Sequence, residues 1–153
     1  MTSIRRMTAL VAFCLVVAGA TALATSAGRS CAQPEALPTL GEHMDGMKDA
    51  LRTIGRGHND ESKRDDVLRA LTQLQEHTLA AKGLMPDKVE KMPEGERGEA
   101  MTDYRIRMSM VLGLTTELEV AYLDGEHDKV DDIIRNKLFP IRDAGHNEFQ
   151  EGH

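Results

Sequence analysis

Aromatic residues are scarce in this chain of 153 residues, which has no Trp, two Tyr and three Phe. A β-sandwich or β-barrel depends on aromatic and β-branched side chains, so this scarcity argues against an all-β fold. The nine Met are accompanied by many Leu, Ala and Glu residues, and these types favour helices. The length suffices for one domain and is too short for two cores of ordinary size.

An excess of basic charge is also missing. The chain has 19 Lys and Arg against 25 Asp and Glu, which gives a formal net charge of −6. No basic stripe is present that could contact phosphates, and this excludes a general nucleic-acid-binding protein. The acidic balance favours basic protein partners over nucleic acid or anionic membrane surfaces.

Charged residues are absent from the apolar run 7–24, which follows Arg5 and Arg6 and precedes a stretch of small residues. This layout is typical of a secretory signal. We therefore predict that residues 1–32 form a signal peptide and that the mature protein is periplasmic. The candidate cleavage points follow Ala24, Ala27 or Ala32. An uncleaved membrane anchor is the alternative, since a run of this length could just span a bilayer.

Both cysteines, Cys14 and Cys31, lie in this leader. We therefore expect the mature chain, residues 33–153, to lack cysteine, which excludes disulfides, thiolate metal sites, cysteine nucleophiles and covalent haem attachment. Loss of the leader also removes three Arg and no acidic residue. The mature chain then has 16 basic and 25 acidic residues, a net charge of about −9.

Apolar residues in the mature chain recur at intervals of four and three, the spacing that places them on one face of a helix. The first predicted helix follows Thr39, whose spacing to Glu42 is that of a capping box, and Gly55 and Gly57 end it. The segments predicted after it are a helix from Ser62 to Gly83, a long loop over 84–99, a helix over 101–122, a turn at Asp124-Gly125 and a helix over about 128–149.

These four amphipathic helices, without any strand signal, predict an all-α protein: an antiparallel four-helix bundle in up-down-up-down order, over residues 33–153. Pro140 lies inside the fourth helix and is expected to kink it. In that topology the first and fourth helices are adjacent and antiparallel. The start of one therefore lies beside the end of the other.

One thioether and one imidazole, Met44 and His146, then fall at the same end of the bundle. A Met/His pair is the ligand set of a low-spin haem iron. By position alone, Met44 could equally be a core residue, and His146 could be favourable because it lies near the negative end of the helix dipole. His43 is at this end but is expected to turn away from the Met face. His77 is expected to be a partly buried, hydrogen-bonded histidine.

Two segments resemble the helices that carry the ligands in the cytochrome b562 family of periplasmic four-helix haem proteins. Residues 40–54 (LGEHMDGMKDALRTI) resemble the first helix of the family, and residues 142–149 (RDAGHNEF) resemble its last. Residues 85–89 and 101–105 further resemble its proline-bearing loop and the start of its third helix. The resemblance implies one non-covalent haem b, with Met44 and His146 as the axial ligands of the iron.

The same resemblance implies which side chains surround the haem. The apolar walls would come from Met47, Leu51, Tyr104, Met108 and Phe149. Tyr104 and Met108 stand where the family packs two Phe against the haem, and Met is polarizable enough to replace an aromatic ring there. Arg142, one helical turn before His146, could pair with a haem propionate.

The predicted function is electron transfer between redox partner proteins, of which the acidic surface favours basic ones, by a monomer that does not bind a membrane once the signal is removed. No phosphate loop, nucleophile elbow or zinc-helix motif occurs, so we expect no enzyme activity. Two alternatives remain open. One is a haem-free helical bundle that binds a protein partner, and the other is a periplasmic Cu(I)-binding protein that uses His43, Met44 and Met47, because thioethers and imidazole suit Cu(I).

Overall fold

The computed structural model describes residues 37–150, and every regular element in this range is helical, so the all-α prediction is confirmed. The elements are α1 (Leu40–Gly57), α2 (Arg64–Ala81), α3 (Asp87–Glu90), α4 (Glu94–Leu123), α5 (His127–Asp132) and α6 (Phe139–Phe149), with a 3₁₀ turn at Glu61–Lys63 and a π-helical segment at Ile133–Leu138. The predicted signal peptide, residues 1–32, lies outside the described residues. None of the described helices is long and apolar enough to cross a membrane.

The start of α1 has the predicted capping box. The Thr39 N–H donates to Glu42 Oε2 at 2.6 Å, and the Glu42 N–H donates to Thr39 Oγ1 at 3.3 Å. The hydrogen bonds that the backbone N–H and the hydroxyl of Thr39 donate to the Glu42 carboxylate hold its pKa below its usual value. The box satisfies backbone donors that the first turn of a helix otherwise leaves unpaired.

The helix α1 ends at Gly57, the second of the two glycines predicted to end it. Gly55 does not end the helix, which continues through Gly57 to a C-cap at His58. A Cβ atom at Gly57 would lie 2.8 Å from Cγ2 of Val67. Gly57 therefore permits close contact with α2, and this packing role explains the glycine better than helix termination does.

The second helix begins slightly later than predicted. Asp60, and not Ser62, supplies the cap, since its Oδ1 accepts from the Ser62 N–H at 3.0 Å. The hydrogen bonds from the Ser62 hydroxyl and backbone lower the pKa of Asp60. The 3₁₀ turn follows this cap, and α2 starts at Arg64.

The loop predicted over 84–99 is partly helical in the structure. It contains the short helix α3, and α4 already begins at Glu94, well before residue 101. Pro93 directly precedes α4 with a φ of −52°, so the proline is compatible with a helix start. Val89 of α3 is fully buried and anchors the connection.

The helix predicted over 128–149 is interrupted by the π-helical segment that ends just before Phe139. The Phe139 N–H donates to the carbonyl of Ile134, five residues earlier. Pro140 has no N–H to donate, so the preceding turn cannot keep a complete α-helical pattern of hydrogen bonds. The disturbance predicted at Pro140 thus takes the form of a π-helical segment on its N-terminal side.

Each long helix packs on the next one along the chain: α1 on α2, α2 on α4, and α4 on the segments from α5 to α6. The larger of two buried clusters fills most of the interior around Ile54, Leu71 and Leu118. We call the smaller one the second cluster. Its buried members are Ala81, Val89, Tyr104, Met108 and Phe149, and Leu40, Met44, Met47, Ala100 and Met101 pack against it half-buried.

Candidate functional site

Five of the eight residues predicted to contact a haem belong to or pack against the second cluster, namely Met44, Met47, Tyr104, Met108 and Phe149, whereas Leu51 packs against the larger cluster. Tyr104 and Met108 on α4 are buried within it, and Met44 and Met47 on α1 pack against it half-buried. The apolar spacing of both helices predicted this convergence, because it places these residues on the inward faces. The result is a wall of thioethers and one phenol ring at the start of α1.

Tyr104 is fixed in this wall by its hydroxyl group, which donates to the carbonyl of Ala81 at 2.9 Å. Burial raises the pKa of Tyr104 to about 12, since the ionised phenolate would lose its hydration there. The ring therefore stays neutral at ordinary pH, and it joins the end of α2 to α4.

Phe149, the last residue of α6, closes the second cluster. Its ring meets that of Tyr104 edge to face, with centroids 5.4 Å apart and planes at 74°. The guanidinium of Arg107 lies 5.7 Å from the centroid of the Phe149 ring. Both contacts hold the last turn of α6 against α4.

The structure does not turn His146 toward this cluster. His146 is exposed on α6, and its carbonyl accepts a hydrogen bond from the Gln150 N–H at 3.0 Å. Three residues separate His146 from Phe149, which corresponds to about 60° around the helix axis. The imidazole therefore lies on the face next to the one that Phe149 buries, while Met44 packs against the second cluster.

Arg142 is likewise exposed, one turn before His146. Its guanidinium lies 4.5 Å from the centroid of the Phe139 ring and pairs with Asp143 at 2.7 Å. Arg142 and His146 thus share the solvent side of α6. They are not brought together with the five predicted residues of the second cluster.

Sequence reasoning missed Arg107 and the role of Gly145. Arg107 pairs with Glu148 at the surface, yet its Nε is buried and has no hydrogen-bond partner among the described residues. A Cβ atom at Gly145 would lie 3.3 Å from Cδ of Arg107, so the glycine makes room for the arginine stem. The only sequence signal was a glycine directly before His146, where a helix interior rarely favours one.

Two further histidines meet between α1 and α2. Nδ1 of His43 and Nδ1 of His77 are 3.1 Å apart, and the ring centroids are separated by 5.4 Å. Both residues are half-buried. The prediction of a partly buried, hydrogen-bonded His77 is confirmed, whereas no sequence pattern indicated that His43 would be its partner.

The remaining pair, His58 and His127, lies near the larger cluster, with centroids 5.9 Å apart. His58 is buried, with Nε2 at 3.6 Å from Oδ1 of Asp131. This contact joins the end of α1 to α5. The contact lies at the end of α1 that is opposite to Met44.

No protein-family model, no curated protein and no solved structure matches this chain. The resemblance of residues 40–54 and 142–149 to the cytochrome b562 family therefore stays a prediction from the sequence.

Proposed function

We propose that this protein is a periplasmic electron carrier that binds one non-covalent haem b at the second cluster, with Met44 and His146 as axial ligands. The observation that carries the proposal is the convergence of Met44 with Met47, Tyr104 and Met108 in one apolar cluster that also receives the end of α6. A porphyrin needs such an apolar, polarizable environment, which thioethers provide.

The proposed scaffold is an up-down-up-down bundle of α1, α2, α4 and the α5–α6 region. The pairwise packing along the chain supports it, as do the short links 58–63 and 124–126. Short links make neighbouring helices antiparallel. The start of α1 and the end of α6 then belong to the same end of the bundle, and both contribute to the second cluster.

The donor set of this end suits a haem. A thioether and an imidazole are available for iron, and Met/His ligation raises the reduction potential of the one-electron iron couple that a haem supplies. The buried, unpartnered Nε of Arg107 is suited to a carboxylate such as a propionate, and Arg142 offers a second cation on α6. Arg107 thus joins the proposed cofactor-binding residues.

The free protein keeps Phe149, and not His146, against the second cluster. Rotation of the last turn of α6 by about 60° about the helix axis would direct His146 toward the second cluster and Phe149 away from it. The last turn of α6 is held by the Phe149 contacts with Tyr104 and Arg107, by the Arg107–Glu148 ion pair and by a hydrogen bond from Lys88 to the carbonyl of Asn147. The proposal assigns binding of the cofactor to a local rearrangement of α6 that exchanges these few contacts for ligation by His146. The rest of the bundle keeps its packing.

Addition of one equivalent of haem to the full chain tests the proposal. We expect a sharp low-spin spectrum on reduction, and acid-acetone should extract the colour because the haem is not covalently bound. Met44→Ala should convert the ferric iron to high spin while His146 retains the haem. His146→Ala should lose most of the affinity, since a thioether is a poor sole ligand.

Matched controls are available in the same chain. Met110→Ala removes an exposed thioether from α4, and His127→Ala removes an exposed imidazole at the other end of the molecule. Both variants should keep the wild-type spectrum. A broad Soret band that is the same in all five proteins would defeat the proposal.

A further inference from the structure

A second candidate site lies where α1 and α2 face each other, and Met47 is the only residue that it shares with the proposed haem site. His43 and His77 are 34 residues apart in the chain, yet their Nδ1 atoms are 3.1 Å apart. Two imidazole nitrogens bound to one metal at about 2.0–2.1 Å and a tetrahedral angle are about 3.3 Å apart. The two Nδ1 atoms therefore need to separate only slightly to bind one metal ion.

The His77 ring is held in this position by a glycine. A Cβ atom at Gly46 would lie 2.6 Å from both Cδ2 and Cε1 of His77, and still closer to its Nε2. No other residue type would leave room for the ring against the backbone of α1. The Nε2 side of the His77 ring thus packs on the backbone of α1 at Gly46, and Nδ1 of the same ring faces His43.

Met47 is the thioether on the same side of α1 as His43, because Met44, which directly follows His43, turns about 100° away around the helix axis. It follows His43 by one helical turn, which places the two side chains next to each other on the surface of α1, and it is half-buried. Among the described residues no third His, Cys, Asp or Glu joins the pair in a possible metal site. Two imidazoles with a thioether form a soft donor set, which favours copper over zinc.

We propose that His43 and His77 bind one copper ion as Cu(I) between α1 and α2, with Met47 as the third ligand. The site uses different imidazoles from the proposed haem site, and its occupancy does not require haem. Copper would then join the first two helices of the chain. In the metal-free protein the two Nδ1 atoms face each other, and in the copper-bound protein each of them would bind the ion instead.

Titration of the haem-free full chain with Cu(I), in competition with a chromophoric Cu(I) chelator, tests this site. We expect one equivalent to bind, and His43→Ala and His77→Ala should each lower the affinity about 100-fold or more, because loss even of a residue that only orients a ligand costs up to that much. Met47→Leu should lower Cu(I) affinity and leave binding of Zn(II) unchanged, since the thioether selects copper.

His127→Ala is the control for a general loss of imidazole, and it should bind Cu(I) like the wild type. Circular dichroism identifies any variant that fails to fold, and His43→Gln and His77→Gln then replace the alanine variants. Retention of wild-type Cu(I) affinity in folded variants of both His43 and His77 would overturn the proposal and leave the pair as a hydrogen bond. Because no haem is present, this result is independent of the outcome for Met44 and His146.

Discussion

At the scale of single residues, the inward-facing residues of α1 and α4 were predictable from the sequence, whereas the partial burial of Arg107 beside them was not. Met44, Tyr104 and Met108 follow the apolar period of their helices, and all three belong to or pack against the second cluster. Arg107 is charged and looked solvated, but its stem lies beside Gly145 and its Nε is buried. Periodicity cannot predict such a position, since the long apolar stem of an arginine can be buried while its charge stays in water.

Phe149 is the residue that most directly opposes the predicted role of His146. Phe149→Ala should lower the free energy of unfolding of the haem-free protein by about 3 kcal/mol, because it removes a buried ring. The same change should raise haem affinity, since the ring no longer competes for the second cluster. Urea unfolding and haem titration measure the two effects.

Phe139→Ala is the control for Phe149→Ala, because Phe139 is half-buried against the larger cluster and lies at the other end of α6. It should lower stability without raising haem affinity. A Phe149→Ala protein with weaker haem binding than the wild type would show that the ring is a wall of the haem site and not a competitor.

The phenol of Tyr104 should give the protein a dependence on alkaline pH. Burial raises its pKa from 10.0 to about 12. The folded state thus holds this proton more tightly, so the corresponding stability is complete below about pH 10 and is lost as the pH rises through about 12. Unfolding measured at a series of pH values should show this loss.

Tyr104→Phe should remove the part of the alkaline loss that Tyr104 causes. At neutral pH it should cost about 1 kcal/mol, because the carbonyl of Ala81 loses one of its two donors and keeps the Leu84 N–H. An unchanged pH dependence in Tyr104→Phe would mean that other groups cause the alkaline loss.

At the scale of helices, the sequence predicts best those helix ends that are marked by a capping box or by a glycine turn. The capping box at Thr39 and the turn at Gly125, with a φ of +74°, were both predicted and both are present. The start of α4 was missed because Pro93, Gly95 and Gly98 resemble a loop. Pro93 suits a helix start, and a Cβ atom at either glycine would meet nothing within 4 Å, so these exposed positions tolerate glycine in a helix.

The packing of α1 on α2 depends on Gly46. Gly46→Ala should destabilise the protein by about 1–3 kcal/mol, because the added methyl group collides with the His77 ring. Gly55→Ala on the same helix should instead stabilise it by about 0.5–1 kcal/mol, since a Cβ atom there meets nothing within 4 Å and alanine is the better helix former. Thermal unfolding of both variants makes the comparison.

Equal stability of the Gly46→Ala and Gly55→Ala proteins would contradict this account of the helix pair. It would mean that His77 leaves its position at little cost. The two histidine rings would then be too loosely held to form a ready metal site.

At the scale of the whole molecule, the end of the helical domain near Met44 is assembled from five separate segments: the start of α1, the end of α2, α3, the first half of α4 and the end of α6. Sequence patterns could predict the helices that supply these side chains. They placed both Phe149 and His146 at this end, and the structure buries Phe149 but leaves His146 exposed, about 60° away around the helix axis. Helical periodicity also does not predict the π-helical segment before Pro140, which changes the register between the two parts of the last helix.

The central claim, axial ligation by Met44, is tested most directly by the proton NMR spectrum of the reduced, haem-loaded protein. The ring current of a porphyrin shifts the methyl protons of an iron-bound methionine far upfield. We expect one such methyl resonance, which should disappear in Met44→Ala and remain in Met108→Leu. A reduced, low-spin protein that lacks this resonance, or that keeps it in Met44→Ala, would contradict the proposed ligation.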